Sequence, residues 1–262
     1  MLAAGNTLAL MRRLAMRLWR SDILRQTAVI LIGFAVYKQG RRAFEPNWPL
    51  AEDNAHRVFH FEQITHLAWE GSLQHAFLEL PELIRAMNVF YLTGHFVLTG
   101  IFFVWLYFRS REGFESFRNG FLVATGLALL IHWGFPTAPP RAAGLGFTDT
   151  LAQFSNIEIG SPGRQGAFSN PVAAVPSLHA GWALAVGVGM VLYGRWLFTR
   201  ILGVLYPVAV TLTIIVTGNH FVFDAIAGDL VMGVGFLAAW RLWPAPKRRA
   251  IMTAATRGGA VR

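Results

Sequence analysis

Apolar residues gather into long runs separated by short polar breaks, at about 23–38, 86–108, 119–135, 177–194, 200–217 and 220–241. Each run approaches the ~20 apolar residues that a helix needs to cross a bilayer. The pattern predicts an all-α polytopic membrane protein with a bundle of six transmembrane helices. Residues 52–85 follow another rhythm. Val58, Phe61, Ile64, Leu67 and Ala68 recur at helical spacing, and Glu62, Glu70, Glu79 and Glu82 cover the other face. This predicts one or two additional amphipathic helices on the outer leaflet, broken near Gly71 and Pro81, that shield a site or dock a lipid head group. Three blocks result: a basic segment over 1–22, a membrane domain over 23–241, and a basic tail over 242–262. Residues 1–20 predict an interfacial amphipathic helix. Residues 142–176 form a long loop rich in Gly, Ser, Asn and Pro, and loops of that length are usually functional or mobile.

Composition agrees with the membrane reading. The chain of 262 residues is 54% hydrophobic and only 14% charged, whereas soluble domains carry about 25% charged residues. Charge also sorts the two sides. Segments 1–25, 109–118, 195–200 and 241–262 hold 16 Lys and Arg, against 7 in 38–85 and 135–176. The positive-inside rule then places both termini in the cytoplasm, and the expected location is the cell (plasma) membrane. The net charge of +9 is accounted for by topology and calls for no nucleic-acid partner. The chain has no cysteine, which excludes disulfides and thiol chemistry.

Candidate chemistry concentrates where loops meet helix starts on the outer side. His220 and Asp224 are one helical turn apart. A carboxylate there can hold one ring nitrogen of His220 and leave the other as a nucleophile. Ser177 is an expected N-cap after Pro176. His179 lies in the same first turn, whose free N–H groups favour an anion, and a protonated imidazole there is a general acid. Arg141, stiffened by Pro136, Pro139 and Pro140, reads either as a snorkelling interfacial arginine or as a planar fork for phosphate oxygens. Arg164 lies in the long loop on the same side. Asn88, Tyr91 and His95 form one stripe of the second span, either an interhelical hydrogen-bond network or a substrate pocket; His132 has the same two readings. His56 and His60 share a helical face, but no third metal ligand is indicated. Asp229, on another face from Asp224, reads as structural. Glycines 181, 187, 189, 203, 228, 233 and 235 predict close helix approach.

The segments Pro176-Ser177-Leu178-His179 and His220 with Asp224 resemble the second and third signature motifs of the type 2 phosphatidic acid phosphatase (PAP2) superfamily. Phe135-Pro136-Thr137-Ala138-Pro139-Pro140-Arg141 resembles the branch with the Aur1-type inositol phosphorylceramide synthases. The resemblance covers roughly 86–241. It implies a six-helix core, a phosphohistidine on His220 oriented by Asp224, and acid catalysis by His179; Arg141 and Ser177 are the candidate phosphate-binding residues beside them, with Arg164 a candidate substitute for a missing cation. It also implies a membrane lipid substrate, either a phospholipid or a polyprenyl phosphate, with a small polyol or lipid hydroxyl as a candidate acceptor. No cofactor and no metal are implied. Two cations of the phosphatase pattern are absent: Gly134 stands where a lysine is expected and Ile214 where an arginine is expected. The alternatives are a lipid phosphate phosphatase, a lipid-binding or transport protein, and a metal hydrolase using His179, His220 and Asp224.

Overall fold

A computed structural model describes residues 21–42, 47–157 and 172–243. The basic N-terminal segment, the basic tail and Arg164 lie outside the described residues. Residues 1–43 form a unit of their own, whose described part is helix α1 (Asp22–Arg42). It contains the first expected span. Arg25, Gln26, Lys38 and Gln39 dilute its apolar run, and it is not among the helices apolar enough to cross a membrane.

The second unit, from Phe44 onward, contains the other expected spans. Asn47 caps α2 (Trp48–Ile64), its side chain accepting from the Leu50 N–H at 3.1 Å. His66, at a φ of 59°, turns the chain toward α3 (Glu70–Leu78). The helix break therefore falls at 65–69, and Gly71 lies inside a helix. Pro81 opens α4 (Pro81–Val89), which runs through a π-helical turn (Phe90–Gly94) into α5 (His95–Arg109). Next come α6 (Arg111–Gly134), capped by Ser110, and short α7 (Thr150–Ser155), capped by Asp149. The last three are α8 (Leu178–Tyr193), α9 (Leu197–Val216) and α10 (Val222–Leu242).

Among the described residues, four stretches are long and apolar enough to cross a bilayer: Pro81–Arg109, α6, α9 and α10. Helix α8 is apolar but only 16 residues long. The spans expose large apolar side chains, among them Phe108 at 79% and Leu230 at 65%. Such surfaces suit lipid rather than water.

Helix α8 packs against α9 and α10, and α10 against α6. Small residues make the first two contacts possible. A Cβ on Gly187 would stand 2.3 Å from the Gly203 carbonyl oxygen, and one on Gly181 would stand 2.6 Å from that of Gly228. Gly233, by contrast, faces open space. Between the helices lie aromatic layers, including Phe102, Phe114, Phe117 and Phe121. This core fastens the middle and C-terminal parts of α8 and α10, and their N-terminal ends form the site.

Candidate active site

Helix α9 ends in a reversal at Gly218, whose φ of 68° a Cβ would strain. The turn continues through Asn219 and His220, whose N–H groups both donate to the Ile214 carbonyl at 3.0 and 3.1 Å. His220 thus stands in a tight turn just outside the two spans. Its Nδ1 lies 3.1 Å from the Ala174 carbonyl and 3.2 Å from Asp224 Oδ2. Both neighbours are acceptors, so Nδ1 carries the hydrogen and the lone pair falls to Nε2. Asp224 Oδ2 also accepts from the Phe221 N–H at 2.9 Å, which locks the carboxylate to the first turn of α10. Burial pushes His220 down to about 4, and the Arg141 charge pushes the same way against the Ala174 hydrogen bond. The ring is therefore held neutral at ordinary pH.

His179 arrives from α8. Ser177 caps that helix, its Oγ accepting from the Ala180 N–H at 3.4 Å. The Ser177 N–H donates to the Asp224 carbonyl at 2.9 Å, which ties the two motifs together through backbone. Gly228 lets this happen: a Cβ there would lie 2.0 Å from the Ser177 carbonyl oxygen. The His132 ring steadies the approach, with Nε2 at 3.1 Å from the Pro176 carbonyl. As a result the His179 and His220 ring centroids are 5.9 Å apart. His179 Nε2 is buried and has no hydrogen-bond partner among the described residues.

The expected stripe of the second span divides. Tyr91, in the π-helical turn, stacks on His179 at 4.5 Å. His95 lies 5.1 Å from His179 and is held by the Tyr206 hydroxyl, 2.8 Å from Nδ1. Asn88 is turned to α7 instead. Its Nδ2 donates to the Thr150 carbonyl and Ser155 Oγ, and its Oδ1 accepts from Thr150 Oγ1.

The Arg141 side chain is almost fully buried. Its Nε donates to Asn219 Oδ1 and its Nη1 to Asp149 Oδ2, both at 2.9 Å, and its N–H bonds the Gly218 carbonyl. The chain before it is set by a single parallel bridge between Thr137 and Ala173. That bridge also presents the Ala174 carbonyl to His220.

Residues 52–85 reach the site in a way the sequence pattern does not indicate. Glu62 and Glu70 are fully buried, whereas Glu79 and Glu82 are exposed. The Val222 N–H donates to Glu70 Oε1 at 2.7 Å and the Phe223 N–H to Glu62 Oε1 at 2.6 Å. The expected faces of this segment are thus reversed at one end. Ile64 and Phe61 point outward, and the carboxyls turn inward because helix-start N–H groups need acceptors. Gln74 joins them, bridging Thr148 and the Val216 carbonyl. His56 lies 3.0 Å from the Ala143 carbonyl. Among the described residues, no three His, Cys, Asp or Glu side chains are placed to hold a metal ion.

Comparison with curated proteins and with solved structures returned no match. Comparison with protein families matched residues 56–238 to the PAP2 superfamily. That stretch runs from the middle of α2 almost to the end of α10 and contains His179, His220 and Asp224; the chain belongs to the PAP2 superfamily.

Proposed function

We propose that the protein is an integral membrane phosphotransferase or phosphatase that moves a phosphoryl group, with or without its head group, from a membrane lipid. The observation that carries this reading is the pairing of two imidazoles, 5.9 Å apart, one of them held in a single tautomer by Asp224 and Ala174. His220 Nε2 attacks phosphorus, and the bond to the lipid oxygen breaks as the P–N bond forms. Protonated His179 gives its proton to the leaving oxygen. The arriving phosphate itself favours that protonated form. In the second half, neutral His179 takes the proton of an acceptor hydroxyl as its oxygen attacks phosphorus, and His220 is released. Asp224 balances the charge on the phosphorylated ring. Arg141 clamps phosphate oxygens, helped by Ser177 and Arg164. The reaction requires no cofactor, and its partners are the lipid donor and the acceptor.

The acceptor has two readings. Water gives a phosphatase for phosphatidic acid or a polyprenyl (pyro)phosphate. A polyol such as inositol, or a lipid hydroxyl, gives a transferase like the inositol phosphorylceramide synthases. The transferase is favoured by Gly134 and by Ile214, which is buried in an apolar cluster. A monoanionic diester needs fewer cations than a dianionic monoester. The charge asymmetry of the sequence supports cytoplasmic termini and a site at the extracytoplasmic side of the plasma membrane.

The test is to expose the protein to phosphatidic acid, phosphatidylinositol and polyprenyl pyrophosphate, each labelled at phosphorus. An acid-labile label on His220 is expected, discharged by the true acceptor. Turnover of a donor with label on no histidine would refute the reading. The pH profile gives a second check. A His220 lowered to about 4 stays neutral above that value and is protonated below it. The acid limb of kcat/KM that belongs to the nucleophile should therefore fall near pH 4. A nucleophile limb near 6.5, the unperturbed value, would mean that His220 is not desolvated.

A further inference from the structure

The first turn of α10 holds the nucleophile's carboxylate, and it is capped by three acidic side chains. The Phe221 N–H goes to Asp224, the Val222 N–H to Glu70 and the Phe223 N–H to Glu62. Two of these acids come from helices far away in sequence, on the unusual segment before the second span. Each uses only one oxygen in this way. Glu62 Oε2 and Glu70 Oε2 are buried and meet no donor among the described residues. The two carboxyls meet at the same helix start, on the consecutive N–H groups of Val222 and Phe223.

Two ionised carboxylates cannot sit together in a buried site without a cation. The described residues offer no metal arrangement there, so a proton is the simplest partner. Burial first, then the neighbouring Glu70 carboxyl and the charge of Asp224, raise the Glu62 carboxyl well above its ordinary range. The Phe223 N–H opposes this but does not reverse it.

We propose that Glu62 and Glu70 share one proton and act as a positioning clamp, fixing the first turn of α10 so that His220 and Asp224 face the substrate. This role rests on the nucleophile reading of His220. One acid donates its O–H to the other, and each keeps an oxygen for a backbone N–H. Such a pair grips two consecutive donors rigidly while adding a single negative charge beside the helix start, where that charge is favoured. Neither acid touches the reacting phosphorus. Their effect passes through the backbone of residues 221–223 to the Nδ1 partner of His220.

The clamp has a distinctive signature. Glu62→Gln keeps an oxygen for Phe223 and replaces the shared proton with an amide donor to Glu70. Glu70→Gln does the mirror image. The double variant sets two amide groups against each other, and one must turn its NH2 toward a backbone donor. Each single Gln variant should therefore keep kcat within about threefold, while the double Gln variant should lose kcat on the order of 10²-fold, the scale of a 1 Å misplacement. KM should change far less. Turnover is measured on whichever of phosphatidic acid, phosphatidylinositol or polyprenyl pyrophosphate the wild type uses fastest, with folded fraction and thermal stability followed in parallel. Wild-type kcat in the double variant overturns the clamp. So does a single Gln variant as impaired as the double, or a loss of kcat that only tracks the folded fraction. His220→Ala in the same assay separates the two ideas. If it retains turnover, the nucleophile reading falls and takes the clamp with it. If it is inactive while the double Gln variant is normal, only the clamp falls.

Discussion

His220→Gln should abolish both turnover and covalent labelling, with kcat down on the order of 10⁴-fold or more, the range seen when a covalent nucleophile or its base is removed. Glutamine can still place a group near Ala174, but it offers no lone-pair nitrogen to phosphorus. Asp224→Asn should be milder, on the order of 10²-fold. The reason lies in the double hold on the ring. Nδ1 has two acceptors, Asp224 Oδ2 at 3.2 Å and the Ala174 carbonyl at 3.1 Å. An asparagine oxygen can still receive the Phe221 N–H and the ring N–H, and Ala174 keeps the tautomer. What is lost is the negative charge that balances the phosphorylated imidazole. Removing a triad carboxylate costs about 10⁴-fold where it alone sets the tautomer. The measurement is single-turnover phosphoenzyme formation for both variants. Equal losses would show that Ala174 does not share the work, and a His220→Gln variant that still labels would remove the mechanism.

The chemistry of the site is more legible in the sequence than its support. The four-residue spacing of His220 and Asp224 places them on one face of any helix start, and Ser177 after a proline is a local N-cap signal that needs no tertiary knowledge. The meeting of His179 with His220 is legible only as an expectation, because it depends on the α8–α10 crossing. Glu62 and Glu70 escape the pattern for a definite reason. Periodicity divides a helix into apolar and polar faces, but it does not say which face turns inward. Here the polar face meets two backbone donors, the N–H groups of Val222 and Phe223, and the usual order reverses at that end. The break after α2 is expected at Gly71 because a glycine is a stronger local signal than His66, which is the residue that adopts the left-handed conformation. The stripe Asn88, Tyr91 and His95 splits because a π-helical turn begins at Phe90 and rotates the later residues relative to Asn88. The first run reads as the shortest of the spans, and its polar residues leave α1 outside the four that qualify among the described residues.

Among the described glycines, Gly228→Ala should be the most damaging substitution. Its Cβ would stand 2.0 Å from the Ser177 carbonyl oxygen and 2.9 Å from the attached carbon. These are backbone atoms, so no side chain can swing away. Ser177 is also held from three directions: its N–H by the Asp224 carbonyl, its Oγ by Ala180, and its preceding carbonyl by His132. Relief therefore requires the start of α8 to move away from α10, and Gly181, close to the Gly228 carbonyl, transmits that movement along the crossing. Overpacking of this kind costs about 3 kcal/mol, the upper end of the usual range. The functional loss should exceed what stability alone predicts, because the displaced segment carries His179. A shift of about 1 Å would misplace the acid relative to His220 and cost on the order of 10²-fold in kcat even in the folded fraction. Gly233→Ala on the same helix is the matched control, since a Cβ there meets nothing within 4 Å. It should leave thermal stability and turnover near wild type and gain slightly in helix propensity. If both variants behave alike, the close crossing of α8 and α10 is not what brings the two histidines together.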